Sequence, residues 1–302
     1  MRLTTLSISI VVLLASAPVL ARDGIVLIRH ARVFDGLMSL GMRDVLVEDG
    51  RITAVAKKLK VSSEIEVVDA WGRTLIPGVI DGHVHVFLGA QAHALRYGVT
   101  TVFDMYSIAD RATIDHWRVQ RSANGKTAGI GATPPGGHPT ELFNDMPAGM
   151  ALPPTLSSNA DAYKFMKARV EAGSDYIKVL QDDGARPGRP ASLPAFASQR
   201  FSAVISTAKA TGKLVVVHVQ QLADARIAIA SGVNALEHAI CDAQVDDPLI
   251  ATMKMKGTAQ NSTLATYDSF SRANDLHLLA LHIEIISHLS PMQQGMLGLI
   301  WK

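Results

Sequence analysis

The stretch Ala210 to His218, ATGKLVVVH, sets a glycine at a helix end and runs at once into an apolar strand tipped by a histidine. Glycine suits the left-handed residue just past a helix C-terminus, where a Cβ is strained. The β-branched run that follows reads as a buried strand. The same unit recurs as RYG-VTTVFD from Arg96, EAG-SDYIKV from Glu171, ASG-VNALEH from Ala230 and MKG-TAQNST from Met255. Strands separated by helices pair in parallel through crossovers. Repeated this often, the pattern predicts an α/β fold, a TIM-type (β/α)8 barrel.

Counting from each glycine finds a titratable side chain at nearly the same offset. Asp104 lies six residues after Gly98, Lys178 five after Gly173, His218 six after Gly212 and His238 six after Gly232. All are predicted near the C-terminal ends of their strands, the face on which barrel active sites are built. A further strand, TLIPGVIDGHVHVF from Thr74 to Phe87, ends in a His-Val-His pair. Side chains at i and i+2 share a strand face, so His83 and His85 are expected to face the lumen and Val84 the helices. Two imidazoles about 7 Å apart along the backbone can converge on one ion at about 2.0–2.1 Å per bond. Lys178 in the lumen would be desolvated and its pKa lowered. A neutral amine can add carbon dioxide, giving an anionic carbamate that bridges two metals.

Taken singly, each feature has a bland reading. An HxH is the polar end of a strand, a strand lysine is solvated at its tip, and a core histidine is merely hydrogen-bonded. Their order on successive strands favours a metal site.

The bulk numbers allow this. The chain has 302 residues, 48% hydrophobic and 19% charged, enough for a large core. A net charge of +2 without a Lys/Arg block argues against nucleic acid or an acidic membrane surface as partner. One cysteine, Cys241, excludes an internal disulfide and is expected as a buried, inert thiol.

Residues 1–21 read as a signal peptide, with Arg2, an apolar run from Ile8 to Leu14 and Val19-Leu20-Ala21 at the cleavage site. The expected location is exported, periplasmic or secreted, without stable membrane insertion after cleavage. Residues 22–73 alternate β-branched and polar residues and break at Asp-Gly or Gly, predicting a small β-sandwich-like domain in which His30 lies on a solvated strand face. Residues 74–302 form the barrel. The loops Thr133–Pro154 and Asp182–Pro194 are long and rich in Gly and Pro, as pocket-shaping loops are. Ser158 or Asn159 is expected to cap the helix between them, and Asp268 to cap the one after the seventh strand.

PGVIDGHVHV (Pro77–Val86), GVTTVFDM (Gly98–Met105), TPPGGH (Thr133–His138), DYIKVL (Asp175–Leu180), VVVHVQ (Val215–Gln220) and GVNALEHA (Gly232–Ala239) resemble the metal-dependent amidohydrolase superfamily, in its imidazolonepropionase and Xaa-Pro dipeptidase-like branch. The likeness covers nearly the whole chain after residue 21. It implies that His83 and His85 bind the more buried of two divalent ions, zinc or another. Lys178, carboxylated, would bridge, and His218 and His238 would bind the second ion. It implies catalytic roles for Lys178 and His238. His138 either touches substrate or stabilises its loop. The implied reaction is hydrolysis of an amide or peptide C–N bond by a metal-bridging hydroxide, in a small cyclic amide or a dipeptide of Xaa-Pro type. A homo-oligomer is compatible with these readings.

The chain departs from the family where an aspartate on strand eight should take a proton. After TAQNSTLAT comes one apolar helical segment holding His277, His282 and His288, read as surface residues, and no eighth strand. A barrel begun near Thr74 needs about 250 residues. The expectation is therefore a barrel incomplete after strand seven, without the returning strands of the β domain. The competing reading is a truncated remnant that binds metal without turnover. A mononuclear deaminase is disfavoured by Lys178.

Overall fold

A computed structural model describes residues 24–117, 121–143, 152–185 and 190–271, with side chains described as far as residue 268. The predicted signal peptide and His277, His282 and His288 lie outside the described residues, as does the segment in which no eighth strand is expected. The chain divides into two compact units between Pro77 and Gly78.

In the first unit, β1 (Val26–Phe34), β2 (Ser39–Glu48) and β3 (Arg51–Ala56) form an antiparallel meander. Asp49 (φ 49°) and Gly50 (φ 71°) make the β2–β3 turn, both left-handed as a tight two-residue hairpin requires. On the other edge of β1, β4 (Glu66–Asp69) and β5 (Thr74–Leu75) pair in parallel, one after the other. Two expectations are corrected. The described strands form one mixed five-stranded sheet, not a sandwich, because β2, β4 and β5 all pair with β1 and β3 with β2, and the side chains of Ile52, Val55 and Val67 stay exposed. The unit also runs past residue 73, because Thr74 and Leu75 are strand partners of β1.

The second unit alternates strand and helix. Its strands are β6 (Val79–Val84), β7 (Val99–Asp104), β8 (Asn124–Thr127), β9 (Tyr176–Gln181), β10 (Leu214–Val219), β11 (Ala235–Glu237) and β12 (Ala259–Asn261). The helices are α1 (Ala90–Arg96), α2 (Arg111–Trp117), α3 (Asn159–Glu171), α4 (Ser198–Lys209), α5 (Leu222–Ala230), α6 (Asp247–Lys256) and α7 (Leu264–Ser271). Strands β6–β7–β8 and β9–β10–β11–β12 are parallel runs in chain order. Ala132, beyond β8, joins the runs: its N–H donates to Lys178 O (2.9 Å) and its carbonyl accepts from Leu180 N (2.8 Å). At the far ends, a Cβ added to Gly82 of β6 would lie 3.0 Å from the Asn261 side chain of β12. The arc of seven strands curls that far.

Alternation along the strands separates two cores. Ile177 and Val179 of β9, Val215, Val217 and Val219 of β10, and Leu236 of β11 face outward onto Phe165, Phe201, Val204 and Ile229 of the helices. The residues between them, Tyr176, Val216 and Ala235, join Phe103, Met105 and Ala128 in filling the inner side. The glycines that end the helices do adopt the left-handed region, with φ from 67° at Gly257 to 80° at Gly98. Ser158 caps α3, its Oγ accepting from Asp161 N at 3.1 Å. Asp268 is not a cap: α7 begins at Leu264, with Thr266 N donating to Thr263 O at 3.0 Å, so Asp268 falls inside the helix. No helix among the described residues is long and apolar enough to cross a membrane.

Phe201 is completely buried between α4 and the outer strand faces. Phe201→Ala is expected to cost about 3–5 kcal/mol by leaving a cavity. Gly212→Ala, whose Cβ meets open space at φ 75°, should cost only about 1–2 kcal/mol of backbone strain. Urea unfolding of both variants checks the order; the reverse ranking would contradict the assigned core.

Candidate metal centre

Five imidazoles form a continuous chain at the C-terminal ends of the strands. The rings of His85 and His83 are 5.5 Å apart between centroids, His83 and His238 4.7 Å, His238 and His218 4.1 Å, and His218 and His138 5.0 Å. As expected, His83 and His85 share a face, while Val84 packs outward with Val86, Val102 and Ile114.

The outer nitrogens of four rings are tied down. His85 Nδ1 donates to Tyr106 O (2.8 Å), and His83 Nδ1 donates to Glu237 Oε2 (2.7 Å). A carbonyl or carboxylate oxygen can only accept, so in both rings Nδ1 carries the proton and Nε2 keeps its lone pair. His238 Nδ1 lies 2.8 Å from Thr263 Oγ1. His138 Nδ1 is 2.6 Å from Glu141 Oε1, and the Thr133 hydroxyl donates to His138 O at 2.6 Å. His218 is reached through its other nitrogen: Nε2 lies 2.9 Å from Asp182 Oδ2 and 3.2 Å from Gln220 Nε2.

Lys178 sits among these rings, 2% exposed, and its Nζ has no hydrogen-bond partner among the described residues. Register places it one step below the histidines. Lys178 pairs with Val216 across β9–β10, whereas His218 pairs with Leu180 on one side and Glu237 on the other. Its long stem makes up that difference. Burial pulls the amine down to about 8, against the attraction of Glu237. Burial likewise lowers His218, to about 3, and lowers His83 and His238 as well; the Glu237 hydrogen bond opposes this at His83. These rings are thus kept neutral, the state in which an imidazole donates a lone pair.

Asp104 and Cys241 stand outside this group of rings. Asp104 is buried but lies on the outward alternation of β7, with Val102, where its carboxylate accepts from Val86 N (3.0 Å) and Thr127 Oγ1 (2.5 Å). It is a structural hydrogen-bonding partner. Cys241 is half-buried, not buried, and its thiol donates to Ala239 O at 3.3 Å. His30 is exposed in β1 and meets Asp69 Oδ2 at 2.9 Å.

His238 reaches the cluster by an unusual backbone. Glu237 already faces inward, so simple alternation would turn His238 toward the helices. A φ of 77° turns it back. Glu237 and Asp182 are the residues that glycine counting misses. Both follow from the register that pairs Glu237 with His218 and sets Asp182 directly after β9. Among the described residues, His138, Asp182 and His218 form a group whose ligand atoms all lie within 4.8 Å of one another.

No protein-family model matches the chain. A dihydroorotase of Elusimicrobium minutum is 36% identical over 88 residues, 25% of this chain and 20% of that protein. An adenine deaminase of Paracoccus denitrificans is 27% identical over 183 residues, 57% of this chain and 28% of that protein. The matched part is thus less than a third of either relative. Among solved structures, an amidohydrolase superposes with a TM-score of 0.69 at 23% identity, covering 83% of this chain and 69% of the other. A Xaa-Pro dipeptidase with methionine bound in its active site gives 0.65 at 22% identity, covering 83% and 70%.

The chain is similar in sequence to parts of the dihydroorotase and the adenine deaminase and shares its fold with the solved amidohydrolase. The shared fold is the parallel-stranded α/β arrangement described above, and the imidazole chain lies at the end of its strands.

Acidification tests the burial of His218. The unfolded chain protonates this ring near 6.5, whereas the folded chain resists until about 3. The unfolded state therefore binds more protons in that window, and stability falls as pH drops through it. Chelator-treated protein should show a urea midpoint that declines from pH 6.5 toward 3, with a shallower decline in His218→Gln. Equal slopes in the two proteins would contradict the burial.

Proposed function

We propose that this protein is a metal-dependent hydrolase that cleaves amide or peptide C–N bonds in small substrates, with Xaa-Pro dipeptides and cyclic amides as the first candidates. One observation carries the reading. A buried lysine amine without a hydrogen-bond partner among the described residues lies among imidazoles whose outer nitrogens are held by Glu237, Tyr106 O and Thr263. Buried polar groups are rarely left unpaired. Imidazoles anchored through one nitrogen are the common arrangement of metal-ligating histidines. The donor set therefore fits the metal dependence of the superfamily.

On this reading His83 and His85 would hold one ion and His218 and His238 a second, and Lys178, once carboxylated, would add an anionic ligand. Divalent ions there, zinc among them, supply Lewis acidity toward a carbonyl and bring the pKa of water toward neutrality. The protein's own part is preparation. With its amine near 8, Lys178 is partly neutral close to physiological pH, so its nitrogen can bond to the carbon of carbon dioxide and release a proton. Glu237 fixes the His83 tautomer. His138, braced by Glu141, presents its free edge beside His218. Similarity in fold to a Xaa-Pro dipeptidase, and to a prolidase solved with N-methylphosphonate-L-proline, supports the choice of first substrates. Export of the mature enzyme, small-molecule substrates and no nucleic-acid partner complete the proposal.

Purified protein loaded with zinc in bicarbonate buffer should bind two ions and release amino acids from a panel of Xaa-Pro dipeptides and cyclic amides. Lys178→Ala should abolish turnover, and Glu237→Gln should reduce it by about 10–100-fold. Two bound ions without turnover on any amide or ester would replace this reading with a metal-binding barrel that does not catalyse. Full turnover in Lys178→Ala would remove the lysine from the site.

A further inference from the structure

We propose that Asp182 is itself a metal ligand, so that His138, His218 and Asp182 form a two-nitrogen, one-oxygen group that joins His238 in holding a divalent cation. The inference rests on the metal-dependent reading above and assigns the second ion its protein carboxylate. Asp182 directly follows β9, and its side chain is only 4% exposed. Its Oδ1 accepts from Gly184 N at 2.8 Å, which turns Oδ2 toward His218 Nε2 at 2.9 Å. Gln220 lies on the same oxygen, its Nε2 3.3 Å away, and is itself held by the Tyr267 hydroxyl, which donates to Gln220 Oε1 at 2.8 Å. His138 completes the group from the loop after β8, with Nδ1 engaged by Glu141 and Nε2 left for a ligand.

Each of the three side chains is thus fixed by a neighbour outside the group. The mixture of imidazole and carboxylate suits zinc, cobalt or manganese and excludes a preference for soft, thiolate-seeking ions. A permanent carboxylate also has a consequence that a carboxylated lysine does not. It gives the second ion an anionic ligand whatever the state of Lys178, so the two ions should differ in their dependence on bicarbonate.

The test uses the full chain, stripped with chelator and titrated with Co(II) alone, reading the visible absorption bands and the ions retained after dialysis. Wild type should hold one ion that survives in Lys178→Ala and in bicarbonate-free buffer. Asp182→Asn should lose that ion, with a loss of affinity beyond the about 10–100-fold expected when only an orienting partner is removed, and with altered absorption bands. His138→Gln, a change in a loop, should lose the same ion and guards against misfolding of the aspartate variant. Unchanged affinity and bands in both variants would overturn the assignment. So would a weakening within about 10–100-fold with unchanged bands, which would make Asp182 an orienting partner of His218 only. A wild-type protein that binds no Co(II) overturns the hydrolase reading too. Two ions and normal turnover in Asp182→Asn would overturn this inference alone.

Discussion

An amine and four imidazoles gathered at the end of a parallel sheet, all but His85 at least partly buried, impose the main constraint on this molecule. Nitrogen lone pairs repel one another and shed their protons when desolvated, as the lowered pKa values of Lys178, His83, His218 and His238 express. Such a group stays in place only if each ring is held from outside. Glu237, Tyr106 O and Thr263 hold three of them, and each comes from a different strand end or loop. Space is provided as well as anchoring. A Cβ on Gly131 would lie 2.3 Å from Leu180 Cδ1 and 3.3 Å from Lys178 Cγ, so a bare backbone at this position lets the lysine stem rise past the strand.

Asp104 shows how the scaffold serves the site without entering it. Its two oxygens bind Val86 N and Thr127 Oγ1, and its own carbonyl accepts from the Tyr176 hydroxyl at 2.7 Å. One residue thereby ties the ends of β6, β7, β8 and β9. Val86 follows His85 directly, so this buried carboxylate sets the strand end from which His85 projects. Burial raises its pKa, while the Thr127 and Val86 hydrogen bonds pull the other way, which is the balance of a carboxylate kept for structure.

Much of this was legible in the sequence, for a physical reason. A glycine at a helix end has little freedom in where the next strand starts, so counting from Gly173 or Gly212 locates the strand tip to within a residue. Within a residue is not enough for facing, because a shift of one reverses every side chain. The same count of six leads to His218, which faces inward by alternation, to Asp104, which faces outward, and to His238, which faces inward only through a φ of 77°. The pairing of β10 with β11 decides these cases, and register is a property of two strands together. Glu237 escapes the count for that reason, lying one residue before the histidine at the counted offset. The Asp49-Gly50 turn was readable because its conformation is local, whereas the single-sheet form of the first unit depends on where β4 and β5 return.

The two halves of the imidazole chain are held by different kinds of structure. His83, His85 and His218 belong to strands or strand ends, and their spacing follows from the sheet. His138 and Asp182 belong to the loops after β8 and β9, which fit closely together: a Cβ on Gly137 would fall 2.8 Å from Pro194 O, and one on Gly136 would fall 3.3 Å from Pro194 Cγ. Leu156 N donates to Thr133 O at 2.9 Å, closing the first loop back on its own base. Loop substitutions in a barrel can therefore move the His138–Asp182 pair while leaving the strand-borne histidines in place. Chemistry common to the fold would reside in the strands, and what distinguishes this chain would reside where its two loops meet.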